Sequence, residues 1–123
     1  MASTIGITTS NNEVISILMN TGYFQEESDV AKFAFGYAMK NRLDKVFPEY
    51  RASNANTKWT YNKIDPDSVM YNLVSILYPE SSNIESEVQR IINLGLAKIG
   101  EQITVDIPPR ISALIEQPYI KDL

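Results

Sequence analysis

Ser28-Asp29-Val30-Ala31-Lys32-Phe33-Ala34 and Ser86-Glu87-Val88-Gln89-Arg90-Ile91-Ile92 decide how this chain is read. Each opens with a serine able to cap a helix and follows it with an acid, where the helix dipole favours negative charge. Apolar residues then recur at helical spacing. Upstream of these segments lies a second matched pair, Val14-Ile15-Ser16-Ile17-Leu18 and Leu73-Val74-Ser75-Ile76-Leu77. The upstream pair is offset by 59 positions and the downstream pair by 58, so one connection is a residue shorter. Two copies of one supersecondary unit, each too small alone, would bury a shared core. The competing reading is chance similarity between two pairs of amphipathic helices.

Working outward, each unit reads as a short strand followed by two helices. Thr4 to Thr9 alternates, with Ile5 and Ile7 on one side. Ser10, Asn11 and Asn12 offer caps to a helix carrying Val14, Ile17 and Leu18, which Asn20-Thr21-Gly22 stops. The Ser28 helix carries Val30, Phe33, Ala34, Tyr37 and Ala38 and is expected to run to about Val46, before Pro48. In the second unit, Lys58 to Lys63 is the strand-like lead. Asp65-Pro66 opens a helix striped by Val69, Leu73, Ile76 and Leu77, which Pro79 ends. Val88, Ile91, Ile92, Gly95, Leu96 and Ile99 stripe the last helix, which stops at Gly100. Gly36 and Gly95 lie within helical stripes and suit close helix packing.

The expected architecture is mainly α. It is a single domain, 1–123, of two (short strand)-helix-helix repeats at about 4–46 and 58–100 that share one core. A polar linker spans 47–57, and a tail at 101–123 adds a strand at Ile103, Val105 and Ile107 and a short helix around Ile111, Leu114 and Ile115. That tail either packs over an open end of the core or docks on a protein partner or a second copy.

Composition narrows the function. With 44% hydrophobic and 21% charged residues the chain is expected to fold. No apolar run approaches the roughly 18 residues of a membrane span, and the first residues lack a secretory pattern, so a cytoplasmic protein is expected. Cysteine and histidine are absent. That excludes disulfides, thiol nucleophiles, thiolate or imidazole metal sites and histidine relays. The paired acids (Glu26, Glu27 and Asp29; Asp65 and Asp67; Glu85 and Glu87) sit at or before helix starts, where caps and dipoles account for them. No phosphate loop, nucleophile elbow or calcium loop is present. A non-enzymatic protein without cofactors is expected.

The net charge of −4 hides an asymmetry. Residues 1–39 balance to −3 and residues 64–123 to −5. Residues 40–63 balance to +4, with Lys40, Arg42, Lys45, Arg51, Lys58 and Lys63 against Asp44 and Glu49. Phe47, Tyr50, Trp59 and Tyr61 interleave with these cations. Cations release counterions from phosphates and rings stack on bases, so the segment suits a nucleic acid. The structural alternative is that Lys and Arg favour helix C-termini and that Trp59 belongs to the core.

The stretch from Gly22 to Ala34, a glycine turn leading into Ser-Asp-Val-x-Lys-x-Ala, resembles the second-helix signature of ribbon-helix-helix proteins of the Arc and MetJ type. Asn83 to Ile92 is similar but lacks the glycine. The resemblance implies a tandem chain whose two strands pair into a ribbon for the DNA major groove. On it, Lys58, Thr60 and Asn62 would share the base-reading face, and Ser28 and Ser86 would anchor phosphates. The first expectation is therefore a DNA-associated regulator or accessory subunit that contacts double-stranded DNA through Lys40, Arg42, Lys45, Arg51, Lys58, Thr60, Asn62 and Lys63. The second is a protein-interaction module docking through 102–123. It is motivated by the cation-free first strand, the acidic helix starts and the apolar tail.

Overall fold

The computed structural model describes residues 3–103 and Ile115. In chain order the elements are β1 (Thr4–Ile7), α1 (Thr9–Met19), α2 (Glu27–Lys40), α3 (Leu43–Val46), β2 (Asn56–Thr60), α4 (Tyr61–Ile64), α5 (Val69–Leu77) and α6 (Ile84–Ile103). The protein is mainly helical, with one two-stranded antiparallel sheet among the described residues. Buried side chains from both halves of the chain join one cluster.

The centre of that cluster is the contact of α2 with α6. Ala31, Ala34 and Ala38 give α2 a flat face, and Val88, Ile91, Ile92, Leu96 and Ile99 of α6 lie fully buried. At Gly95 the helices approach so closely that a Cβ would sit 2.2 Å from the Ala34 carbonyl oxygen. Glycine is required there. Gly36, by contrast, is exposed and has nothing within 4 Å of a Cβ position among the described residues, so its packing role is not seen there.

The sheet is tied to α6 by a buried amide. β1 pairs with β2 in the register Thr4 to Thr60, Ile5 to Trp59, Gly6 to Thr57 and Ile7 to Asn56, which leaves Lys58 bulged out without an opposite residue. Asn93, fully buried on α6, donates from Nδ2 to the carbonyl oxygens of Gly6 and Gln89. Its Oδ1 accepts from the Thr8 backbone and from Asn11 Nδ2, while Gln89 Oε1 accepts from the Gly6 N–H. Backbone groups of an otherwise open strand edge are satisfied this way, which a buried edge requires.

Several element boundaries differ from the sequence expectation, each for a local reason. Neither Ser28 nor Ser86 caps its helix. α2 starts at Glu27, where the Asp29 carboxylate accepts from the Glu26 N–H at 3.3 Å, and Asn83 Oδ1 caps α6 from the Ser86 N–H at 3.0 Å. The helix expected to reach Val46 breaks after Lys40. Asn41 Nδ2 donates to the Tyr37 carbonyl, Arg42 takes a left-handed φ of 47°, and α3 follows as a separate turn. The second strand ends at Thr60, and residues 61–64 are helical. Asp65 opens α5 from a distance, its carboxylate accepting from the Met70 and Tyr71 N–H groups and from the Tyr61 hydroxyl. α6 continues through Gly100, whose missing Cβ makes room for Val14 of α1. The tail strand and short helix lie outside the described residues, apart from Ile103, which is the last residue of α6, and Ile115.

The stripe assigned to α5 also faces the other way. Val74 is buried, and Met70, Leu77 and Tyr78 are half-buried beside it. Val69, Leu73 and Ile76 stand 68%, 38% and 75% exposed.

Candidate nucleic-acid and anion interface

The eight residues expected to contact DNA have different local partners. Lys58 and Thr60 belong to β2, whereas Asn62 and Lys63 belong to α4, so the three-residue reading face Lys58, Thr60, Asn62 is not formed by one strand. Lys58 Nζ lies 3.2 Å from Glu27 Oε1 and 5.6 Å from the centre of the Trp59 ring. Lys63 Nζ lies 3.1 Å from Glu26 Oε1. The acids that the α2 dipole favours are therefore the partners of both lysines. Exposed pairs of this kind contribute little to stability, yet each neutralises a charge that phosphate would need. Gly6 is buried with its Cβ position 3.2 Å from Ala55 Cβ, and the exposed strand residues are Thr4, Asn56, Thr57 and Thr60.

Arg42 is held as well. Its Nε and Nη2 fork onto the two carboxylate oxygens of Asp44 at 3.0 and 2.9 Å, and the Tyr78 hydroxyl donates to the same carboxylate. Burial alone would raise the Asp44 pKa, but the Arg42 fork and the Tyr78 hydroxyl outweigh it and hold the carboxyl below its usual range. The bond to Asp44 raises Arg42 in turn. Burial, then the bond to Asp44, pushes the Tyr78 phenol up.

Lys45 and Arg51 are different: both are exposed, and neither makes an ion pair among the described residues. Arg51 Nη1 donates to the carbonyls of Pro48 and Tyr50 at 3.0 and 2.8 Å, which fixes the guanidinium. Lining the same cleft is Arg90 of α6, a residue that a charge tally along the chain passes over because it stands in an acidic segment. Its side chain is only 11% exposed. Arg90 Nε meets Glu87 Oε2 at 3.1 Å, while Nη1 is buried with no hydrogen-bond partner among the described residues. The repeat offset held the one signal that could have found it, since Arg90 matches Lys32 of the first segment.

Lys45, Arg51 and Arg90 line a cleft of about 520 Å³ together with Asp44, Tyr78 and Glu87. An adjoining cleft of about 290 Å³ shares Arg51, Glu87 and Arg90 and adds Ser53 and Ser86. Lys40 stands apart, its ammonium donating to the Ile115 carbonyl. Of the two serines implied as phosphate anchors, Ser86 is exposed at the second cleft and Ser28 is buried. Among the described residues no group of three or more acids is placed to hold a metal ion, and no helix is long and apolar enough to cross a membrane. Comparison of the chain with protein-family models, with curated proteins and with solved structures finds no match.

Proposed function

We propose that this chain is a small non-enzymatic DNA-associated protein, a regulator or accessory subunit, which meets the nucleic-acid backbone at the cleft of Lys45, Arg51 and Arg90 rather than along the strand ribbon. The observation that carries the reading is the division of the basic segment. Lys58, Lys63 and Arg42 are matched by Glu27, Glu26 and Asp44, whereas Lys45 and Arg51 have no acidic partner among the described residues and line one cleft with Arg90. Support also comes from the order of elements: a strand precedes the helices in each half, and the two strands pair antiparallel. That arrangement is compatible with tandem ribbon-helix-helix units, the duplication itself being part of the proposal.

The test is fluorescence anisotropy with a mixed-sequence duplex and with single-stranded DNA, from about 50 to 200 mM salt. Binding that weakens steeply with salt and is lost in Lys45→Glu/Arg51→Glu supports the reading. No binding at the lowest salt, or an unaltered isotherm for the double variant, rejects it.

A second reading, a protein-interaction module without nucleic-acid binding, is favoured by the exposed Val69–Leu73–Ile76 face of α5. Deletion of 102–123, the tail first expected to dock, separates the two sources of association. Loss of association without unfolding assigns docking to the tail, and retained association assigns it to α5.

A further inference from the structure

We infer that the cleft between the 51–53 turn and the first turns of α6 is a phosphate pocket, built by Arg51 and Arg90 with the hydroxyls of Ser53 and Ser86 at its rim. The inference rests on the proposed nucleic-acid reading and names the group that this part of the surface takes: a phosphate dianion, either at the end of a nucleic-acid strand or free in solution. It starts from the two arginines that line this cleft, Arg51 and Arg90, the latter with one guanidinium nitrogen, Nη1, closed to solvent and without a partner among the described residues. A guanidinium has five donors, and one buried without an acceptor is costly to leave unmade. Glu87 engages Nε, which sets the plane of the guanidinium without satisfying Nη1. Arg51 lines the same cleft, oriented by two backbone carbonyls and free of any carboxylate partner among the described residues.

The acids nearby do not cancel this charge. Asp44 is matched by Arg42 and the Tyr78 hydroxyl, and Glu87 by Arg90. Among the described residues of the two clefts that leaves Lys45 and Arg51 in excess. A tetrahedral anion with three or four oxygens can accept from both arginines at once, which a planar carboxylate does less well. The backbone amides of the α6 N-terminus are not invoked, because Asn83 already accepts from the Ser86 N–H and Glu85 and Glu87 occupy the first turn.

The experiment follows amide and arginine Nε–H resonances of the full chain during titration with sodium phosphate, using sodium chloride at matched ionic strength as control. Anisotropy is measured in parallel with one short oligonucleotide carrying either a 5′-phosphate or a 5′-hydroxyl. Expected are saturable shifts at 51–53 and 86–90 that chloride does not produce. Affinity should fall by about tenfold or more in Arg51→Gln, an exposed site whose change leaves the thermal melt in place. Ser86→Ala should weaken binding less. Absence of saturation, identical shifts with chloride, or an unaltered titration in Arg51→Gln overturns the pocket. Oligonucleotide binding that ignores both the 5′-phosphate and added phosphate overturns it too, while leaving the nucleic-acid reading intact. Saturable phosphate binding with no affinity for either oligonucleotide upholds the pocket for free phosphate and removes that reading.

Discussion

α5 and α6 carry apolar stripes of similar regularity, and the fold treats them in opposite ways. Every apolar position of the α6 stripe from Val88 to Ile99 is buried. α5 is apolar on nearly all sides, and only its Val74 is fully buried. Periodicity reveals that a helix has a face to bury; what lies against that face depends on neighbours far away in sequence. α6 has them, because α2 opposes it with three alanines and β1 is bonded to it through Asn93. α5 is positioned by Asp65, whose carboxylate binds the first N–H groups of the helix and directs Val74 inward. The other stripe is left to solvent.

The comparison is broken most severely at Gly95. Gly95→Ala would place a methyl group 2.2 Å from the Ala34 carbonyl oxygen, so the two helices must separate. The expected loss is about 3 kcal/mol or more, read as a lowered midpoint in urea. Gly36→Ala, in α2 and facing open space, is the matched control and should gain about 0.5–1 kcal/mol. If both substitutions cost the same, the close packing of α2 on α6 is not what makes α6 the buried helix.

Asn93→Ala comes next. It removes the amide that bonds Gly6, Thr8, Asn11 and Gln89, and leaves the Gly6 carbonyl of β1 and the Thr8 N–H without their side-chain partner. A loss of about 2–3 kcal/mol is expected, with faster amide exchange at Gly6 and Thr8 than in α2. Uniformly faster exchange throughout would show that the sheet has no separate tie to α6.

A smaller effect belongs to acid. Asp44 titrates below its usual value in the folded protein, so its contribution to stability is fully present above the unfolded pKa and is lost as pH falls through the folded one. Stability should therefore decline below about pH 4 through this carboxyl, and Asp44→Asn should flatten that part of the profile. An unaltered acid limb in the variant would show that Arg42 and Tyr78 contribute nothing through Asp44.

How much of this was legible in sequence follows the same division. The α6 stripe could be read because its apolar residues fall on one face, interrupted only by Asn93, a polar residue whose role needs the strand beside it. α5 could not be read, since two stripes compete when nearly every residue is apolar. The basic segment shows the same limit. Lys58 and Lys63 are 31 and 37 positions from Glu27 and Glu26, so a tally along the chain counts as free the charges that the fold neutralises. Arg90 is the reverse case, a cation counted within an acidic stretch that the fold brings to the same cleft as Arg51. Caps were misread by two or three residues, because Glu26 and Asn83 supply starts that the more conventional serines only follow.

The smallest expected effect is also the one that sharpens the opening comparison most. Ile76 is three-quarters exposed, so in an isolated molecule Ile76→Ser should alter stability by no more than about 0.5 kcal/mol. The same change at Ile91, fully buried in α6, should cost several times as much, because it loses apolar burial and places a hydroxyl in the core. Melts at two protein concentrations give the comparison its second axis. A melting temperature that rises with concentration in the parent chain and ceases to do so in Ile76→Ser would place the exposed stripe in a contact between copies. A melt independent of concentration in both leaves α5 a solvated helix, held by Asp65 and by the side of the helix that carries Val74, Met70 and Leu77. Sequence periodicity would then have overstated how much of the chain is core.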